Sequence, residues 1–88
     1  MYKVLVSRTF QKQFSSLNKN IQKRIKISLK ELEKDPIRAR PNADITPLSG
    51  TKPQKHRLRV GEYRIIYLIE NKTVKVIEVF KRGRGYRK

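Results

Sequence analysis

Residues 56–67, His56-Arg57-Leu58-Arg59-Val60-Gly61-Glu62-Tyr63-Arg64-Ile65-Ile66-Tyr67, leave this chain few ways to fold. Arg57 and Arg59 alternate with Leu58 and Val60, so in a strand the two arginines share one face and the two apolar residues the other. Gly61 supplies the positive φ that the first central position of a type II′ turn requires, which makes Gly61-Glu62 a two-residue hairpin loop. That loop pairs Val60 with Tyr63 and sets Arg59 directly across from Arg64. Like charges so placed repel and weaken a hairpin. Their presence points to a polyanion partner.

In chain order, Tyr2–Val6 reads as a short strand and Ser7 as the N-cap of a helix starting at Arg8. Phe10, Phe14 and Leu17 form an apolar stripe over about three turns. Asn18 caps a second helix, whose stripe is Ile21, Ile25, Leu29 and Leu32 and whose other surface is basic. Asp35-Pro36 ends it. Residues 35–55 hold all four prolines and read as a long connection with one short strand at Thr46–Ser49. Tyr63–Ile69 is almost continuously apolar or aromatic, the pattern of a central strand covered on both faces. Thr73–Phe80 returns after a turn at Glu70-Asn71-Lys72, and residues 81–88 form a basic tail. The expected fold is α+β in a single domain, 1–88: an N-terminal strand, a two-helix antiparallel hairpin, and a three to four-stranded antiparallel sheet against which the helices pack.

The last hairpin has two registers. A two-residue loop at Asn71-Lys72 pairs Glu70 with Thr73 and sets Arg64 opposite Val79, with Arg82 on the far face. A three-residue loop, Asn71-Lys72-Thr73, sets Arg64 opposite Phe80 and brings Arg82 to the face of Arg57, Arg59 and Arg64. The second is the expectation, because only it builds one site from the four arginines.

Charge bounds the partner. Twenty-three lysines and arginines against seven acids give +16, the balance of a nucleic-acid-binding domain. There is no cysteine, hence no disulfide framework or thiolate metal site, and a reducing, cytoplasmic compartment is expected. Val4-Leu5-Val6 is too short for a signal peptide, and no segment reaches the roughly 20 apolar residues of a membrane span. His56 is the only histidine, which excludes a paired-histidine nuclease; alternation puts it on the Leu58 side, packed on the core. No metal-ligand spacing or phosphate-cradling loop is present, and no cofactor is expected.

The order strand, helical hairpin, Leu48-Ser49-Gly50, the hairpin of residues 57–67 and a closing Lys81-Arg82-Gly83-Arg84-Gly85-Tyr86 resembles the RelE toxins of type II toxin-antitoxin systems, within the RelE/ParE superfamily. The resemblance covers essentially the whole chain, and the basic tail with its tyrosine favours RelE over ParE. It implies a RelE-like microbial RNase fold and a ribosome-dependent endoribonuclease that cleaves messenger RNA in the ribosomal aminoacyl site without a metal. It also implies an acidic, RelB-like antitoxin partner, with operator DNA bound only through the antitoxin complex, and no membrane. The family's catalytic positions fall on Arg57, Arg59, Arg64, Arg82 and Tyr86. Well-known members carry lysines at the first two and have longer tails.

Cutting RNA through its own 2′-hydroxyl requires a base, an acid for the leaving 5′-oxygen and charge stabilisation at the phosphorane. Guanidinium forks suit the last task. They are poor bases, since a pKa above about 12 leaves almost no neutral form. Arg59 and Arg64 are therefore assigned to the scissile phosphate, Arg82 to the leaving group, and Tyr86 to base stacking or proton relay. Lys52, Lys55, Lys81, Arg84 and Arg87 are candidate RNA contacts. The base stays open; Glu62, in the turn, is the nearest carboxylate by sequence. A ParE-type inhibitor of DNA gyrase and a non-catalytic nucleic-acid-binding module are the alternative readings.

Overall fold

The computed structural model describes residues 1–83; Arg84, Tyr86 and Arg87 lie outside them. The elements are β1 (Lys3–Val6), α1 (Arg8–Ser15), α2 (Lys19–Lys34), β2 (Asp44–Leu48), β3 (Lys55–Val60), β4 (Tyr63–Glu70) and β5 (Thr73–Lys81). They build one sheet in the order β1-β5-β4-β3-β2. Strands β2 to β5 are the expected antiparallel meander, in its four-stranded form. β1 joins its edge parallel to β5, so the whole sheet is mixed.

Both helix starts follow the capping chemistry of the sequence. The Ser7 hydroxyl accepts from the Phe10 amide at 2.9 Å, and the Asn18 side chain from the Ile21 amide at 3.0 Å. Helix α1 is shorter than its stripe implies, with 8 residues rather than three turns. Asn18 must leave the helix to cap α2, and the Gln22 side-chain amide takes up the carbonyls of Phe14 and Leu17 at 2.9 and 3.1 Å. Phe10, Ile21, Ile25 and Leu32 then meet Leu58, Ile65, Tyr67, Val74 and Val76 in one core.

The helices cover only that face of the sheet. Strand β4 reads as covered on both sides, but among the described residues no helix lies on the other. There Ile66 is buried all the same, only 2% exposed. That burial is what made the strand look doubly covered in sequence.

The proline-rich connection is better ordered than its composition implies. The Asp35 carboxylate accepts from the amides of Ile37 and Arg38, and Arg40 donates to the carbonyls of Asp35, Arg38 and Glu31 while pairing with the Glu31 carboxylate at 3.3 Å. Arg40 and Ala43 exchange backbone hydrogen bonds. The strand that follows begins at Asp44, two residues before the expected Thr46. Pro47 is tolerated in it because β2 is an edge strand.

The first hairpin has the expected register, with Val60 across from Tyr63, Arg59 across from Arg64, and Gly61 at φ +60°. The second reaches the expected alignment by another route. Asn71 and Lys72, at φ 50° and 65°, form a two-residue loop of the type I′ kind, and Glu70 pairs with Thr73, so the three-residue loop does not form. Arg64 nevertheless faces Phe80. Tyr67 pairs with Val76 and Ile66 with Glu78, leaving Ile77 as the extra residue of a β-bulge. Beside it, where β1 has ended, helix α1 covers the strand: the Ser7 hydroxyl donates to the Ile77 carbonyl at 2.6 Å, and the Gln13 side-chain oxygen accepts from the Val79 amide at 2.7 Å.

His56 sits on the helix side as expected, its ring stacked on Tyr67 at 5.4 Å between centroids. The Tyr67 hydroxyl donates to the Pro36 carbonyl at 2.7 Å, and burial raises its pKa. Burial lowers the pKa of His56, whose Nδ1 is enclosed without a hydrogen-bond partner among the described residues. The fold thus accepts the neutral ring. As pH falls below about 6.5 the unfolded chain takes up the proton first, and stability should drop until the folded-state value is passed. In thermal melts His56→Phe, which keeps the stack, should flatten the slope between about pH 7 and 5.5; an unchanged slope would place the titrating group elsewhere.

Candidate nucleic-acid interface

Residues paired across a sheet share a face, so the registers define the site row by row. Next to the Gly61-Glu62 turn runs Asp44, Arg59, Arg64, Phe80. The following row is Thr46, Arg57, Ile66, Glu78, and in the third Lys55 and Lys75 flank Leu68. All three rows lie on the helix-free face. The pair after a two-residue hairpin's closing pair is of the non-hydrogen-bonded kind, which brings the Arg59 and Arg64 Cα atoms to about 4.5 Å.

Arg82 follows directly after β5, and its amide donates to the Glu62 carbonyl at 2.6 Å, which fixes the strand end against the turn. The Arg64 guanidinium is held below the usual arginine range, by burial first and then by the charges of Arg57, Arg82 and Arg59. It remains a cation at neutral pH. The four arginines therefore form one positive cluster. Arg59 has an acid nearby, Asp44 at 3.9 Å, but both side chains are more than half exposed and the pair is weak. Among the described residues Arg57, Arg64 and Arg82 have no carboxylate within pairing distance. Arg40, bound to carbonyls and to Glu31, shows what an arginine kept for structure looks like in the same chain.

The other expected contacts divide. Lys55 stands on the arginine face, one row beyond Arg57. Lys52 is exposed in the loop before β3. Lys81 is the last residue of β5 rather than part of a tail and pairs with Tyr63 on the helix side, where it lines a cavity with Asn18, Asn20 and Arg24. Its Nζ is 3.9 Å from Glu62, which draws Glu62 toward that side and away from the arginines.

Two residues escaped the sequence reading. Glu78 stands on the arginine face, a placement already implied by any register that sets Arg64 opposite Phe80. Arg24, on α2, lays its guanidinium over the turn so closely that a Cβ on Gly61 would sit 2.9 Å from it. With Arg59 it lines a cavity of about 410 Å³ between α2 and the sheet edge. Nothing distinguishes Arg24 in sequence from the other basic residues of its helix.

A small domain with a helical hairpin on one face of a mixed sheet and an arginine cluster on the other is the architecture of a toxin of the RelE/ParE type. Residues 4–86 match the family profile described as "ParE toxin of type II toxin-antitoxin system, parDE". The chain belongs to this family of type II toxins. Among solved structures it is similar to the archaeal RelE of the RelE-RelB complex from Pyrococcus horikoshii OT3, at 31% identity, TM-score 0.81, and coverage of 96% of this chain and 98% of that one. For the RelB-RelE complex from Methanococcus jannaschii the values are 27%, 0.72, and 88% of each chain. The RelBE2 complex of Mycobacterium tuberculosis shares the fold at 24% identity and TM-score 0.76, covering 92% of this chain and 98% of that one. No curated protein sequence matches the chain significantly.

The paired arginines oppose folding wherever no polyanion is bound. Arg64→Thr should therefore raise the melting temperature at low salt, with the gain shrinking as salt screens the wild-type repulsion. A lower melting temperature at every salt concentration would show that Arg64 supports the sheet instead.

Proposed function

We propose that this toxin is a ribosome-dependent endoribonuclease that cuts messenger RNA in the aminoacyl site and so stops translation. The observation that carries the reading is the gathering of Arg57, Arg59, Arg64 and Arg82 on one open sheet face, three of them without an acidic partner among the described residues. Arg59 and Arg64, directly opposed, hold the scissile phosphate; Arg82 neutralises or protonates the leaving oxygen; Arg57 holds the strand alongside. Tyr86 is kept as the stacking or proton-relay residue. Arg84 and Arg87, with Lys52 and Lys55, are kept as backbone contacts. Two archaeal relatives are seen in complex with RelB antitoxins. A charge of +16 supports an acidic antitoxin here, a chain that folds on the toxin and with it binds operator DNA.

The family profile favours a second reading, inhibition of DNA gyrase by binding. Toeprinting on programmed ribosomes beside a gyrase supercoiling assay separates the two. Breaks in the aminoacyl site with normal supercoiling support the nuclease, and the converse supports the gyrase inhibitor.

Removing charge at Arg64 or at Arg82 should each lower messenger RNA cleavage on the order of 10²-fold, the scale of losing one transition-state donor. The double variant should be far from additive, because both act on one phosphate. Free RNA should be bound, with affinity falling steeply as salt rises, but cut slowly, since the ribosome supplies much of the geometry. Full activity in Arg82→Ala beside lost activity in Arg64→Ala would shrink the site to the central hairpin.

A further inference from the structure

The arginine cluster can bind and stabilise a phosphorane, but it contains no group able to take the proton from a 2′-hydroxyl. We propose that Glu78 is that base, a role that rests on the RNA-cleaving reading above. Glu78 stands in the same row as Arg57, with Ile66 between them on the central strand. Two strand spacings separate Arg57 and Glu78, about 10 Å between Cα atoms. Arg57 and Glu78 thus flank Ile66 on one sheet face, close enough for a single ribose-phosphate to meet both.

The bulge puts the carboxylate there. Continued without it from the Tyr67–Val76 pair, the ladder would set Glu78 opposite Ile65, on the helix-covered face, and bury an ion in the core. With Ile77 extruded and its carbonyl held by Ser7, Glu78 emerges among the arginines instead. It is half-buried, and in this strongly basic chain it has neither an ion pair nor a hydrogen bond among the described residues. The other acids of the sheet are occupied or misplaced. Asp44 lies at the edge strand beside Arg59, Glu62 leans to Lys81, and Glu70 is held by Lys75 at 2.6 Å at the far end of β4.

In the step this arrangement performs, the Glu78 carboxylate accepts the 2′-hydroxyl proton as the 2′-oxygen bonds to phosphorus. Arg59 and Arg64 bind the non-bridging oxygens, the bond from phosphorus to the 5′-oxygen breaks, and that oxygen gains a proton from Arg82 or water. The products are a 2′,3′-cyclic phosphate and a 5′-hydroxyl. Glu78 returns its proton to solvent, and Arg82 recovers one from it. A carboxylate is a weak base for a hydroxyl, and the guanidinium groups compensate by stabilising the developing negative charge.

The test is single-turnover cleavage on programmed ribosomes. Glu78→Gln should lower the rate about 10² to 10⁴-fold with little change in apparent affinity, and Glu78→Asp should recover part of the loss. Wild-type cleavage should be nearly flat between about pH 6.5 and 8.5, whereas the Gln variant should speed up about tenfold per pH unit as hydroxide replaces the base. Thermal melts and ribosome binding equal to wild type establish that both variants are folded. A Gln variant with the wild-type rate, or with a reduced rate and the wild-type pH profile, would overturn the role of Glu78 and leave the nuclease reading standing. Cleavage of a message carrying a 2′-deoxynucleotide at the cut site would overturn attack by the 2′-oxygen itself, and the base with it.

Discussion

One irregularity in strand β5 decides what this sheet presents to solvent. If the two-residue turn at Asn71-Lys72 were followed by an unbroken ladder, Arg64 would face Val79, and Glu78 would turn into the core. The extra residue at Ile77 reverses the facing of everything after it. The bulge is secured from outside the ladder, where the Ser7 hydroxyl and the Gln13 amide take the Ile77 carbonyl and the Val79 amide. Ser7 also caps α1, so the start of the helix and the alignment of the site are fixed by the same side chain. Arg64, Phe80 and the approach of Arg82 to the turn all depend on that arrangement.

The sheet divides its work between two faces. On the helix side, Leu58, Ile65, Tyr67 and Val74 meet Phe10, Ile25 and Leu32 and supply the burial that holds a domain of this size together. On the open face the protein keeps arginines opposite one another with hardly any compensation from acids. A surface that stores repulsion gains most when a polyanion arrives, because binding relieves it as well as making new contacts. The contrast with Arg40 is instructive. There the same side chain is tied to backbone carbonyls and to Glu31, and it serves to anchor the proline-rich connection.

An all-arginine cluster also narrows the chemistry. Guanidinium groups recognise phosphate oxygens bidentately and stay charged, which suits the phosphate-binding role proposed for them above. Any proton abstraction has to come from another side chain or from the surroundings. That is why a carboxylate with no counter-ion among the described residues, on a surface of such positive charge, carries more information than a further arginine does.

Much of this was legible in the sequence, because it is local. Turn chemistry at Gly61, alternation in residues 57–60, the caps at Ser7 and Asn18, and the apolar stripes of both helices each depend on neighbours a few residues away. Together they specified the central hairpin, its register and the arginine pair. The parallel docking of β1 against β5, the helix-free face above Ile66 and the route to the Arg64–Phe80 pairing were decided only in the folded chain. Turn chemistry allows a two-residue loop while a single four-arginine face asks for the other alignment, and neither consideration by itself reveals a bulge. The conflict is resolved by hydrogen bonds spanning 70 and 66 residues, from Ser7 to Ile77 and from Val79 to Gln13. Contacts of that range have no periodicity to read, and the face on which Glu78 emerges follows from them.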